Sequence, residues 1–294
     1  MNYTFCLKAY AKINLGLKVL RQRADGYHDL ESVMQQVSLA DTLVFEPAAG
    51  RGCNFFCTDP RLSGHDNLVS RAAVLLQNKH GKKLPGVKIT LYKNIPVEAG
   101  LAGGSADAAA ALLGLNRFWQ LALPKSELLE AGAELGSDVP FCLQGGTALA
   151  GGRGERLQEL PPLPFFWAVI AIPENEAMST AAAYNSFDKR KMGEPPLEPL
   201  VEAISKQDKQ KITGWLARGF TNTLETAIEP RSSKLKGLKK RLANAGFSPV
   251  ISGSGPAVFI LTEQWRDARD AARAAEQEGS RAYLCWVTSG NKEW

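Results

Sequence analysis

Polar and apolar residues alternate from the start of the chain. Over residues 3–20, Ala9, Ala11, Ile13, Leu15, Leu17 and Val19 share one parity, while Lys8, Tyr10, Lys12, Asn14 and Lys18 share the other. A period of two predicts a half-buried strand or a strand pair. Lys12 and Asn14 then project from the same polar face; solvated side chains on an edge strand are the bland reading, and the surrounding AKINLGLKVLRQRADGYHDLESV argues against it. The β-rich runs continue through residues 33–59. They read as a meander, with turns at Ala40-Asp41 and at Pro47-Ala48-Ala49-Gly50. Asp66-Asn67 precedes LVSRAAVLLQNKHG, an amphipathic helix with Asn67 as its cap and Gly81 as its stop. Residues 87–95 alternate again and predict a strand.

The strand leads into Pro96–Leu112, PVEAGLAGGSADAAAAL. Glycines there permit positive φ and close approach of a ligand to the backbone. Ala106 and Ala108 to Ala111 then favour a helix, with Asp107 in its first turn. A glycine loop that opens a helix presents free N–H groups and the positive end of a macrodipole, which suits phosphate. A plain loop before a packed alanine-rich helix would share this composition. No Lys-Ser or Lys-Thr pair follows, so this is not a P-loop, and G-x-G-x-x-G does not fit.

Beyond the loop, a helix starts near Pro124 and stops at Gly136. Ser137-Asp138-Val139-Pro140 heads the apolar run Phe141-Cys142-Leu143, which reads as a buried strand with Asp138 as a turn or cap residue. GGTALAGGRGERLQEL reads as a glycine-rich hairpin. The proline-rich stretch after it marks a boundary near residue 160, giving lobes 1–160 and 161–294. Ser179-Thr180 starts a capped helix toward Tyr184, and residues 188–211 form a charged surface excursion with one short helix. Leu235, Leu238 and Leu242 predict a helix with a solvated basic face. VISGSGPAVFIL sets Ser-Gly-Ser-Gly-Pro between two β-rich runs, before a final helix and strand.

Composition narrows the classes. The 294 residues are 45% hydrophobic and 22% charged, ordinary for a soluble chain of one large or two medium domains. A net charge of +5 suits a small anionic substrate, and no basic block with interleaved aromatics argues for nucleic acid. Five scattered cysteines form neither a disulfide framework nor a zinc site and fit a reducing cytoplasm. No run is long and apolar enough to span a membrane, and no secretory signal is evident. Oligomeric state leaves no mark in the pattern.

The order P-x-x-x-G-L-x-G-G-S-x-D-A-A resembles the phosphate-binding motif of the GHMP kinases. Two positions depart from its commonest form: Glu98 stands where a small residue is usual, and Ala102 where glycine is frequent. AKINLGLKV followed by R-x-D-G-Y-H-x-L resembles the start of those family members that phosphorylate a cytidine diphosphate-linked polyol. The segments D-N-L-V-x-R-A-A, G-x-D-V-P-F, S-T-A-x-x-Y and S-G-S-G-P extend the likeness over nearly the whole chain.

The resemblance implies an α+β, two-lobed GHMP kinase fold, with a ribosomal S5 domain 2-like N-terminal lobe and a ferredoxin-like C-terminal lobe. It implies ATP as co-substrate, with Mg²⁺. Pro96, Val97, Glu98, Ala99, Gly100, Leu101, Ala102, Gly103, Gly104, Ser105 and Ala106 would cradle the ATP phosphates, and Asn67 and Lys93 would lie near adenine. Asp138 would be the general base with Lys12 beside it. Tyr27, His28 and Tyr184 would hold the cytosine, and Asn14 would sit near the substrate alcohol. No dedicated metal cage is expected, Ser105 being a possible ligand. Another GHMP small-molecule kinase and a non-catalytic ATP-binding sensor of the same fold are the alternatives.

Overall fold

The computed structural model describes residues 3–81, 84–176, 183–184, 196–218, 221–277 and 279–290. The expected helix start at Ser179-Thr180 and residues 188–195 lie outside these. Two sheets organise the fold. In the first, β1 (Phe5–Gln22) runs antiparallel to β2 (His28–Arg51). The other edge of β2 pairs with β5 (Thr147–Gly151) near its start and with β4 (Pro85–Tyr92) farther along. β3 (Cys53–Cys57) joins β4 in parallel, and β6 (Arg156–Glu159) joins β5, closing the expected hairpin.

The meander expected over 33–59 is instead one long strand through Ala40-Asp41, followed by β3. Asp41 does not turn the chain. It is buried within β2 and accepts hydrogen bonds from the Asn94 and Ile95 amides at 2.5 and 2.8 Å. A short polar residue here satisfies a neighbouring loop, and the strand passes through undisturbed.

Four helices cover this sheet: α1 (Leu68–His80), α2 (Gly103–Phe118), α3 (Lys125–Leu135) and α4 (Val139–Gln144). α2 touches β1 and β2 on one side and α1, α3 and α4 on the other. A helix enclosed in this way is apolar nearly all round, which accounts for its alanine run. At Gly114 the approach is so close that a Cβ would stand 2.0 Å from the Phe45 ring. α4 replaces the strand expected at Phe141–Leu143. Pro140 fits its first turn, where the N–H has no intrahelical partner, and a run buried without a break from Val139 to Leu143 shows no legible period.

The second sheet is antiparallel, in the order β10 (Ser280–Trp286), β7 (Trp167–Pro173), β9 (Val258–Thr262), β8 (Val250–Ile251). α5 (Glu198–Ser205) and α6 (Lys209–Leu216) stand where one short helix was expected. Gln207 at φ 56° separates them, and the Asp208 carboxylate caps the second on the Lys211 amide at 3.0 Å. After α7 (Glu225–Ile228), α8 (Ser233–Asn244) and α9 (Trp265–Glu276) bury Leu235, Leu238, Leu242, Ala268, Ala271, Ala272 and Ala275 in one cluster. The architecture is α+β. β1 binds the two parts together: Leu17 exchanges backbone hydrogen bonds with Thr221 and Thr223, at 2.8 and 2.9 Å.

Candidate active site

Where the two sheets meet, a cleft of about 880 Å³ opens. Lys12 lies at its base. β1 carries register shifts between Tyr10 and Lys12 and between Asn14 and Gly16, so simple parity fails there. Lys12 and Asn14 are 4% and 1% exposed, so neither is a solvated side chain on an edge face. The Lys12 ammonium donates to Asn14 Oδ1 at 2.7 Å and to the Gly100 carbonyl at 3.1 Å, and stands 3.7 Å from Asp138 Oδ2. Asn14 is itself fixed: its amide nitrogen donates to Ser32 Oγ at 2.8 Å, and that hydroxyl donates to the Gly16 carbonyl at 2.7 Å. A buried ammonium with two acceptors and a nearby carboxylate is held in one orientation. Asp138 is the cap residue of α4, yet its side chain makes no capping bond.

The glycine loop forms one wall. Ala102 is the N-cap of α2 in the left-handed region, at φ 55° and ψ 33°, and offers no capping side chain. The first helical hydrogen bond is Ala106 N to the Ala102 carbonyl at 2.9 Å. Among the described residues no acceptor meets the amides of Gly103, Gly104 and Ser105, which open on the cleft. This is the arrangement that binds oxyanions. Glu98 also has positive φ, 54°, and is exposed at the cleft. Pro96 through Ser105 all line it, while Ala106 is buried behind them.

The Ser252–Gly255 turn braces the loop from the other sheet. Ser252 Oγ donates to the Gly100 carbonyl at 3.1 Å and accepts from Asn14 N at 3.3 Å, and Ala257 N donates to the Ala99 carbonyl at 3.1 Å. Asn67 lines the cleft but spends both ends of its amide locally: Oδ1 caps Val69 N at 2.9 Å, and Nδ2 donates to the Leu62 carbonyl at 2.9 Å. Lys93 likewise lines the cleft, with its ammonium held by Asp41 at 2.5 Å and Asp107 at 2.8 Å. Burial, with Asp41 as a second carboxylate beside it, pushes Asp107 up to about 7 despite Lys93.

Tyr27, His28 and Tyr184 reach the same cleft. The His28 and Tyr184 rings lie 5.4 Å apart. Burial lowers the His28 pKa and raises that of the Tyr184 phenol, so both are neutral near pH 7. Tyr27 is half exposed and carries the Arg153 guanidinium over its ring at 4.9 Å. Sequence reasoning missed Arg153 and Asp25 as lining residues. The signal was a charged residue at the tip of a glycine hairpin, Gly-Gly-Arg-Gly, where turn chemistry alone asks for no arginine.

Comparison with known proteins decides the family. The GHMP kinases N terminal domain profile matches residues 67–146. The 4-diphosphocytidyl-2-C-methyl-D-erythritol kinase of Moorella thermoacetica is 44% identical over 277 residues, 92% of this chain and 94% of that protein. The chain belongs to the 4-diphosphocytidyl-2-C-methyl-D-erythritol kinase family of GHMP kinases. The protein of that name from Listeria innocua is 42% identical, with 90% and 89% of the two chains covered. A crystal structure of 4-(cytidine 5'-diphospho)-2C-methyl-D-erythritol kinase superposes with a TM-score of 0.81 at 36% identity, covering 98% of this chain and 100% of that one. Homoserine kinase from Cytophaga hutchinsonii shares the fold, at 21% identity and a TM-score of 0.78. The protein is thus a small-molecule kinase of the two-lobed GHMP fold, and ATP is the co-substrate its family implies. No helix among the described residues is long and apolar enough to cross a membrane.

Proposed function

We propose that this kinase transfers the γ-phosphate of ATP to the 2-hydroxyl of 4-diphosphocytidyl-2-C-methyl-D-erythritol, a step of non-mevalonate isoprenoid precursor synthesis in the cytoplasm. The observation that carries the reading is the meeting of Lys12 and Asp138, 3.7 Å apart, beside the glycine loop. Phosphoryl transfer asks a protein mainly to position groups and neutralise charge. The free amides of Gly103, Gly104 and Ser105, at the positive end of α2, receive the phosphates. Asn67 and Lys93 mark the adenine end, Asn67 as an anchored cap and Lys93 through its place in the wall.

Asp138 takes the proton of the acceptor hydroxyl. Its side chain is partly exposed to the cleft, which a base needs. Lys12, 3.7 Å from that carboxylate, compensates charge as the phosphoryl group moves. Asn14 holds Lys12 in place and lies within reach of the substrate alcohol. Tyr27, His28 and Tyr184 clasp the cytosine, the neutral imidazole serving its polar edge. The lobes carrying these parts divide near residue 160.

The donor set suits Mg²⁺. Ser105 Oγ would lie 4.0 Å from a Cβ at Gly136, next to Ser137 and Asp138, so hydroxyl and carboxylate oxygens gather where the phosphates would end. Among the described residues there is no three-ligand cage of His, Cys, Asp or Glu. An ion at Ser105 would take most of its ligands from phosphate and water. Ser105 is the residue that would hold it. When bound, the ion supplies neutralisation of charge on the phosphates.

A coupled ADP-release assay tests the assignment. ADP release should depend on the cytidyl substrate and be absent with mevalonate or homoserine. Turnover of either of those alcohols in its place would reassign the acceptor. ATP binding with no acceptor-dependent ADP release would make the chain a sensor.

A further inference from the structure

Arg153 stands at the tip of the β5–β6 hairpin, within Gly151-Gly152-Arg153-Gly154. Its backbone is fixed: Arg153 N donates to Glu155 Oε2 at 2.6 Å, and Gly154 N to the Gly151 carbonyl at 3.0 Å. On one side, its guanidinium carbon lies 4.9 Å from the Tyr27 ring centroid. On the other, the next residue, Gly154, abuts the proposed base; a Cβ there would lie 3.7 Å from Asp138 Oδ1. Arg153 therefore occupies the cleft wall between the aromatic end and the Asp138 end.

Its charge acts on Asp25 of the adjoining turn, helping to hold that carboxylate below its ordinary range, but without a close ion pair. Among the described residues no carboxylate lies within ion-pair distance of the guanidinium. The acidic groups of the adjoining turn take their hydrogen bonds from other donors. Asp25 accepts from Arg23 Nε and from Tyr27 N, both at 3.1 Å, and Asp29 accepts from Arg21 at 2.7 Å and Arg23 at 2.9 Å. A guanidinium stacked on a ring uses its face and leaves its in-plane N–H edge free. That edge matches the spacing of phosphate oxygens.

We propose that Arg153 binds the diphosphate of a cytidine diphosphate-linked substrate, an inference that rests on the acceptor assigned above. A ligand with its pyrimidine at Tyr27 and its alcohol at Asp138 must pass its diphosphate between them. Arg153 faces that stretch, while Lys12 serves the reacting end. Stacking on Tyr27 orients the fork before the ligand arrives, so little side-chain freedom is lost on binding.

The test is calorimetric binding of cytidine and of cytidine 5'-diphosphate to the parent protein, Arg153→Met and Arg153→Lys. Loss of charge-assisted hydrogen bonds to a diphosphate weakens binding by roughly 10- to 100-fold. Arg153→Met should lose about that factor for the diphosphate and less than about threefold for cytidine. KM for the full substrate should rise in step, with kcat and the KM for ATP little changed. Arg153→Lys keeps the charge without the fork and should fall between parent and Met for the diphosphate only. Should the Met variant misfold, the Lys variant reads the same ratio. Equal weakening of cytidine and its diphosphate would overturn the proposal, leaving Arg153 as a prop for Tyr27. A rise confined to the KM for ATP would overturn it in favour of a nucleotide role. If the parent binds neither cytidine compound, the acceptor assignment falls first, and the proposal with it.

Discussion

Gly100→Ala probes the joint between the glycine loop and the opposite sheet. Gly100 has φ 79°, and its missing Cβ would lie 2.2 Å from the Ser252 carbonyl oxygen and 2.9 Å from Gly255 N. Two costs add. A left-handed backbone with a side chain costs about 1–2 kcal/mol. The overlap is with main chain on both sides, so no rotamer relieves it, and overpacking of this kind costs about 1–3 kcal/mol. Parting the segments would also lengthen the bonds that Lys12 and Ser252 donate to the Gly100 carbonyl, both 3.1 Å. The expected loss is about 2–5 kcal/mol in urea unfolding, with a fall in kcat because Lys12 loses an anchor. Gly237→Ala is the control. It lies in α8 with nothing within 4 Å of a Cβ, and should gain about 0.5–1 kcal/mol. A Gly100→Ala variant within about 1 kcal/mol of the parent, and equally active, would refute the claim that loop and turn are in rigid contact.

Ala102 and Glu98 hold φ of 55° and 54°, so Ala102→Gly and Glu98→Gly should each raise stability by up to about 1 kcal/mol; denaturant midpoints that fall would show that neither position is strained. Asp107 titrates near 7 when folded, against about 3.9 in an unfolded chain. The native state then binds more protons than the unfolded chain between those values. Stability should decline as pH rises from about 4 to about 7, with a slope of up to about 1.4 kcal/mol per unit. Asp107→Asn should flatten that slope and unfold at higher denaturant than the parent at pH 8; parallel pH profiles would contradict the assignment.

The sequence disclosed these features unevenly. Helices with a stripe and caps were legible: α1 between Asn67 and Gly81, α3 ending at Gly136, and α8 on Leu235, Leu238 and Leu242. The glycine loop was legible because its pattern is long. What failed had a local cause. Asp41 looked like a turn residue, since the loop it satisfies lies over fifty positions away. The run after Asp138 is buried on all sides, so a helix and a strand look alike there. A parity count alone leaves Lys12 and Asn14 solvated, because it cannot show that β1 slips register and the other sheet covers them; the motif around them pointed the other way. The positive φ of Ala102 and Glu98 was hidden for a similar reason: only packing holds a non-glycine residue there.

Lys12 and Asp138 belong to distant parts of the chain, and the account depends on their acting together at the phosphoryl group. Single-turnover transfer by Asp138→Asn, with ATP affinity measured on the same preparation, tests this most directly. The account predicts a rate lower by at least about 10²–10⁴-fold, with ATP binding nearly unchanged. A rate within about tenfold of the parent at intact ATP affinity would contradict it.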